Sequence, residues 1–278
     1  MDVMHWYADW QDHRHASHFD FRYALDNRNL VRHYESYNDV RLLNERIDRS
    51  KDITLFEVGC ATGEFYRYLR IKYPGVGYYG IDISQPAIAL AKERYPKARF
   101  FVTGPEAKLS ASLKELSMPE NHEIVYAKDV ILHQTRPFEF LSDLVKIASE
   151  ALVIRCRTRD HGPTELDPEH SCQYHYGGWM PYIVMNLDEM ISYIREKASR
   201  SEIVVYRNHM ILGGQNNRYL PKDCYLKATG TAETAIGVFK KTDNPGKLVI
   251  EDHPDMNPTY TLDYRLKRYV HRLSGILR

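Results

Sequence analysis

The chain has 278 residues, 43% of them hydrophobic and 27% charged, a size and balance suited to one globular core with additions. Its 38 basic and 37 acidic side chains leave a formal net charge of +1, so no global field draws it to nucleic acid or to an acidic membrane. Cys60, Cys156, Cys172 and Cys224 form no close pair, which argues for reduced thiols against a disulfide framework or a zinc site. No window approaches the roughly 18 apolar residues of a membrane span, no signal-peptide pattern opens the chain, and the expected location is the cytoplasm.

Residues 1–50 read as a helical cap, polar and aromatic, with Leu30, Tyr34, Tyr37, Val40, Leu43 and Ile47 at spacings of three and four. The period then changes. "ITLFEVG" predicts a strand, "EFYRYLRIKYP" a helix closed at Pro74, and "GYYGIDIS" a second strand. Ser84 caps the next helix, with Pro86 in its first turn. "ARFFVTG", "HEIVYAKDVIL" and "ALVIRCRT" are the third, fourth and fifth strands, separated by helices at "LSASLKELSMP" and "PFEFLSDLVKIASE". Strands alternating with helices in this way predict a doubly wound α/β fold, its parallel sheet covered on both faces.

Residues 159–186 carry three histidines, several acids and no clear period, which predicts a lid or substrate-binding insertion after the fifth strand. "LDEMISYIREKA" is a helix, "SEIVVYRN" the sixth strand and "TAIGVFKK" the seventh. The expectation is a seven-stranded, mostly parallel sheet across residues 51–253. In residues 254–278, Leu262, Leu266, Leu273 and Leu277 share one face of an amphipathic helix, with Arg265, Lys267, Arg268 and Arg272 opposite. That helix suits docking on the body, a homodimer contact or a peripheral membrane surface.

The stretch "LFEVGCATGEF" places Glu57, Gly59, Ala61 and Gly63 at the first strand-to-helix turn. Glycines there let backbone approach a ligand closely at the topological switch point of an open α/β sheet. A dinucleotide turn needs G-x-G-x-x-G; from Gly59 onward, Ala61 and Glu64 stand where the second and third glycines belong, which disfavours a nicotinamide cofactor. What stands here is E-x-G-x-x-x-G, with an acid suited to an amine and nothing dedicated to phosphate. Asp82 ends the second strand, where an acid accepts bonds from both hydroxyls of a ribose. An amine, a ribose and no phosphate describe S-adenosylmethionine.

With "YYGIDIS" and "HEIVYAKDVILH", that first stretch resembles the class I, Rossmann-like S-adenosylmethionine-dependent methyltransferases over residues 53–158. The resemblance implies that Glu57, Gly59, Cys60, Ala61 and Gly63 cradle the methionine part of the cofactor, that Asp82 holds the ribose and that Ile83 packs on the adenine. It places Thr103 and Gly104 beside the adenine, with Glu106 a displaced partner for its amino group, and Lys128 and Asp129 near the sulfonium.

Methyl transfer to a hydroxyl calls for a base, and His133 lies on the loop that faces the methyl group in this family. His161, His170 and His175 in the insertion are further candidates, with His161 and His175 preferred, beside Tyr174 and Tyr176. Gln215, Asn216, Asn217 and Arg218 offer a second substrate wall. No N-P-P-Y or D-P-P-Y follows the fourth strand, which argues against methylation of DNA or of protein glutamine. Asp129 lacks the paired acid and asparagine of metal-dependent catechol-type relatives, so no metal is expected. The expected function is methyl transfer to a small polar molecule, chiefly O-methylation of a sugar, glycan precursor or natural product. N-methylation and a non-catalytic, cofactor-binding regulatory role are the alternatives.

Overall fold

The computed structural model describes residues 8–11, 16, 18–47, 53–105, 108–167, 169–175, 177–225 and 230–256. The sheet grows from strands β1 (Thr54–Val58), β2 (Gly77–Asp82), β3 (Arg99–Val102), β4 (His122–Lys128) and β5 (Ala148–Arg159). All run parallel, in the order β5-β4-β1-β2-β3, so the direction of strand addition reverses between β1 and β4. Buried on both faces, β1 and β4 read as near-continuous apolar runs bounded by turn residues, which is how the sequence located them without any alternation.

Beyond β5 the order is β11-β9-β12, with β9 at Glu202–His209, β11 at Ala232–Phe239 and β12 at Leu248–Asp252. β11 is antiparallel to both neighbours. Among the described residues the sheet has nine strands where seven were expected. One addition, β12, runs parallel to β9 as a half-exposed edge, and its "LVIED" lacks the burial that marks the inner strands. The other, β8 (Met185–Asn186), pairs with the end of β5 and is too short to show any period.

The insertion read as irregular contains two short strands, β6 (Cys172–His175) and β7 (Gly178–Pro181). They pair with each other and with β10 (Arg218–Tyr219) in a second, three-stranded antiparallel sheet. The two loops predicted as separate substrate walls therefore form one roof.

Helices cover both faces. After the single turn α1 (Asp20–Tyr23), the cap contributes α2 (Asn27–Tyr34) and α3 (Asn38–Asn44). Asp26 caps α2 by accepting from the Asn29 amide at 2.8 Å, and Ser36 bonds the His33 carbonyl at 2.7 Å where the chain breaks before α3. The apolar stripe crosses this break. Leu30, Tyr34, Val40 and Leu43 join Leu55, Tyr126 and Val153 of the sheet in one core with Phe65, Tyr68 and Leu69 of α4 (Glu64–Lys72). Helix α5 (Gln85–Arg94) lies on the same face, with Ile88 and Ala91 in that core. The other face packs Phe56, Val125 and Ile154 against α6 (Leu109–Glu115), α7 (Pro137–Ile147) and α8 (Leu187–Lys197).

A buried charge cluster ties these layers together. Arg155 of β5 is 5% exposed; it pairs with Glu233 of β11 and with Asp255 at 3.0 Å, and lies 3.9 Å from both Asp39 and Asp129. The Tyr126 hydroxyl donates to Asp39, and Asn38 donates to the His253 carbonyl at 2.6 Å. The start of α3 is thereby bound to the segment that follows β12. Among the described residues no helix is long and apolar enough to cross a membrane. Glu106, Tyr176 and the amphipathic helix expected within 254–278 lie outside the described residues, except for its first positions, 254–256.

Candidate active site

The carboxyl ends of β1, β2 and β4 open into a cavity of about 570 Å³ at the switch point. Its floor is mostly backbone. Gly59, Ala61 and Gly63 all adopt left-handed conformations, with φ of 80°, 46° and 83°. The Gly59 and Cys60 amides donate to the Ile81 carbonyl at 2.8 and 3.0 Å, and the Ala61 amide donates to Asp82 Oδ2 at 2.8 Å. All three amides are thus used in fastening the turn to β2, and a phosphate finds no donors among them. Glu64, the departure from the dinucleotide pattern, accepts from Thr62 at 2.5 Å and from Arg94 at 2.9 Å, locking α4 to α5.

The two glycines differ in purpose. A side chain on Gly59 would meet Val130 Cγ2 at 2.3 Å, and both residues line the cavity. One on Gly63 would meet Phe100 Cζ at 2.7 Å, and Gly63 is absent from the cavity wall. Its place in the motif serves close packing of α4.

Glu57 points into the floor, 5% exposed, and accepts from the Tyr78 hydroxyl. Burial pushes its carboxyl up to about 8. Asp82 is 8% exposed, raised by burial as well, and its Oδ1 accepts from the Ser84 amide at 2.8 Å. Ile83, Thr103 and Gly104 line the same side with Leu109 and Phe140, forming a largely apolar slot. Lys128 and Asp129 also face the cavity. Lys128 Nζ lies 3.3 Å from the centre of the Tyr37 ring, buried without a hydrogen-bond partner, and burial lowers it to about 8. Burial works to raise Asp129, but Arg157 at 2.8 Å and Arg155 hold it well below the usual carboxylate range.

The roof is made of side chains. His133, Gln173, His175, Tyr182, Gln215, Asn217 and Arg218 all line it. His133 Nδ1 donates to the Pro181 carbonyl at 2.8 Å; a carbonyl only accepts, so the ring lone pair sits on Nε2. Burial lowers His133 to about 4, which keeps the imidazole neutral. His161 and His170 are exposed and outside the cavity wall: the Arg159 side chain takes the His161 carbonyl, and His170 pairs with Asp167 at 2.9 Å. Tyr174 is 44% exposed, and it and Asn216 also lie off the wall.

Five described wall residues come from the cap: Trp10, His18, Phe19, Arg22 and Tyr34. Tyr34 belongs to the periodic stripe, and the aromatic, histidine-rich start "HWYADWQDHRHASHF" suits a cap that closes the pocket as well as it suits a dimer interface. Trp10 meets His133 edge-on at 5.1 Å, and His18 meets His175 at 6.1 Å. Gln11 fixes this segment by donating to the Ile83 carbonyl at 2.6 Å and accepting from the Gln85 amide at 3.1 Å. Arg22 stands over the Phe19 ring at 5.0 Å, with its Nε buried and without a hydrogen-bond partner. The cap closes the cavity of its own chain.

A methyltransferase-domain family model matches residues 56–150, from β1 into β5. No curated protein matches the chain by sequence. An O-methyltransferase of a trans-AT polyketide synthase multienzyme from Brevibacillus brevis, solved with S-adenosyl-L-homocysteine, is 12% identical; the match covers 85% of this chain and 77% of that one at a TM-score of 0.50. A TehB-like methyltransferase from Corynebacterium glutamicum is 15% identical over 83% of this chain and all of its own, with a TM-score of 0.47. A phosphoethanolamine N-methyltransferase from Haemonchus contortus is 13% identical, with 73% of this chain matched to 52% of that longer one, at 0.48.

Proposed function

On the premise that the chain belongs to the class I S-adenosylmethionine-dependent methyltransferases, we propose that it methylates a small polar molecule and that the accepting atom is a hydroxyl oxygen. The observation that carries this reading is the position and tautomer of His133. With Nδ1–H held by the Pro181 carbonyl, the lone pair lies on Nε2 of a ring that lines the cavity, the tautomer in which an imidazole accepts a hydroxyl proton.

Bound S-adenosylmethionine supplies an electrophilic methyl group on a sulfonium centre. The residues present fit that cofactor. Glu57 offers a buried carboxylate to the ammonium of the methionine part, and Arg22, beside Glu64, offers a guanidinium to its carboxylate. Asp82 has lone pairs beyond the two used by Ala61 and Ser84, and these accept the ribose hydroxyls. Ile83, Leu109 and Phe140 would enclose the base, and Gly59, where a side chain has no room, would let the methionine part approach the backbone of the turn. Trp10 and Tyr182 exclude water above His133. The four cysteines are buried and unpaired, which supports a reducing, cytoplasmic setting.

The test has two steps. Calorimetric titration should show binding of S-adenosylmethionine and S-adenosylhomocysteine and none of NADH. Transfer of labelled methyl is then followed across matched hydroxyl and amine acceptors in wild type and His133→Gln. The expected result is O-transfer slowed about 100-fold with cofactor affinity unchanged. Preferential methylation of amines, or O-transfer indifferent to the substitution, would overturn the assignment of the accepting atom.

A further inference from the structure

The two halves of the cavity differ in charge. Glu57, Glu64 and Asp82 lie on the floor, whereas the one other carboxylate among the described wall residues, Asp129, is taken up by Arg157 at 2.8 Å and approached by Arg155. That leaves Arg218 at the end of the roof. Its Nε donates to Gln173 Oε1 at 3.3 Å, its Nη1 donates to the Leu212 carbonyl at 3.2 Å, and its guanidinium stacks on Tyr182 at 4.5 Å. No carboxylate among the described residues pairs with it, and its Nη2 makes no bond to any of them. A side chain fixed on three sides has already lost its rotamer freedom. Arg218 lines the cavity. His18 and His175, next to it, are lowered by burial first and then by neighbouring positive charge, so they line this end without neutralising it.

A pinned, unneutralised guanidinium in an aromatic-lined chamber is matched by a carboxylate or phosphate oxyanion, which it binds with two parallel hydrogen bonds. A neutral sugar leaves that charge uncompensated. Resting on the methyltransferase reading above, we propose that the acceptor is a small-molecule acid whose carboxylate or phosphate seats on Arg218, with its hydroxyl directed back toward His133. Gln173 acts as a positioning residue by holding the guanidinium against Tyr182.

The test uses the full chain loaded with S-adenosylhomocysteine, titrated with 4-hydroxybenzoate, 4-hydroxyphenyl phosphate and the neutral 4-hydroxybenzamide. The expected result is that one or both acids bind at least about tenfold tighter than the amide. The tighter acid identifies the oxyanion. Arg218→Gln should abolish the preference and Arg218→Lys should keep part of it, while both variants bind S-adenosylhomocysteine as wild type does. Equal binding of acid and amide, no binding of either acid at millimolar concentration, or a preference that survives Arg218→Gln overturns the proposal. So does a loss of S-adenosylhomocysteine affinity in Arg218→Gln, which would assign the guanidinium to the cofactor. Failure of the wild type to bind S-adenosylhomocysteine at all is a separate result, and it strikes the parent reading.

Discussion

The floor and roof of the cavity are built on opposite plans. The floor comes from the ends of neighbouring strands, its shape set by backbone bonds between the β1 turn and β2 and its charge by Glu57 and Asp82. The roof gathers Trp10 and Arg22 from the cap, His133 from the turn after β4, Gln173 and Tyr182 from the insertion and Arg218 from β10. A backbone-built surface resists point substitution and suits a ligand that does not change. A surface made of side chains from four distant segments is altered residue by residue, and it suits the part of the reaction that distinguishes one protein from its relatives.

The largest expected effect breaks both halves together. Arg155→Ala leaves Asp39, Glu233 and Asp255 buried without their common cation, which should cost about 3–5 kcal/mol in a urea unfolding series. A smaller loss would mean that the cap stays on through its apolar stripe alone. Asp82→Ala attacks only the floor. It should weaken S-adenosylhomocysteine binding about 100-fold by calorimetry, near 2.7 kcal/mol, and lower the melting temperature through the orphaned Ala61 and Ser84 amides.

The glycines sharpen the comparison within the motif itself. Both Gly59→Ala and Gly63→Ala impose strain at positive φ, about 1–3 kcal/mol. Only the first should also reduce cofactor affinity, because only Gly59 borders the cavity. The smallest effect is a pH dependence. With Glu57 raised to about 8, the empty site holds that carboxyl protonated at neutral pH, and an ammonium ligand favours its ionised form. Cofactor affinity should therefore rise severalfold from pH 6 to 8. Glu57→Gln should flatten the profile, while Lys128→Met, which removes the neighbouring cation lowered to about 8, should leave the upward slope in place. Folding follows the opposite sign. A carboxyl raised on folding contributes stability that is full below its unfolded pKa and is lost as pH rises through about 8.

These differences explain what was legible in the sequence. Strands β1, β2, β4 and β5 are apolar-rich runs of five to twelve residues punctuated by turn residues, β3 is marked by the helices on either side of it, and the floor residues are contiguous with these strands, so strand pattern and chemistry coincide. Gly63 was legible as a glycine requirement but not as a packing one, since Phe100 reaches it only in the folded sheet. Strands of four residues in β6 and β7 and two in β10 are too short to express a period, which is why the roof read as loop. Trp10 and His18 lie in an aromatic, histidine-rich start whose composition fits a pocket-closing cap and a dimer interface equally, and Arg22 carried no local signal. Their role depends on the cap folding back over the end of β2, a contact carried by Gln11 and not by any motif. His161 was singled out by residue type alone, and the turn after β5 directs it to solvent.

That same Gln11 contact bears on turnover. It joins the cap to the two backbone groups beside Ile83, above the slot assigned to the adenine, through solvent-exposed hydrogen bonds of about 1 kcal/mol each. Two exposed hydrogen bonds are a weak fastening beside the buried core that holds the rest of the cap. Exchange of spent cofactor is therefore expected to need only the edge of the cap to unfasten, with the apolar stripe from Leu30 to Leu43 still seated on the sheet.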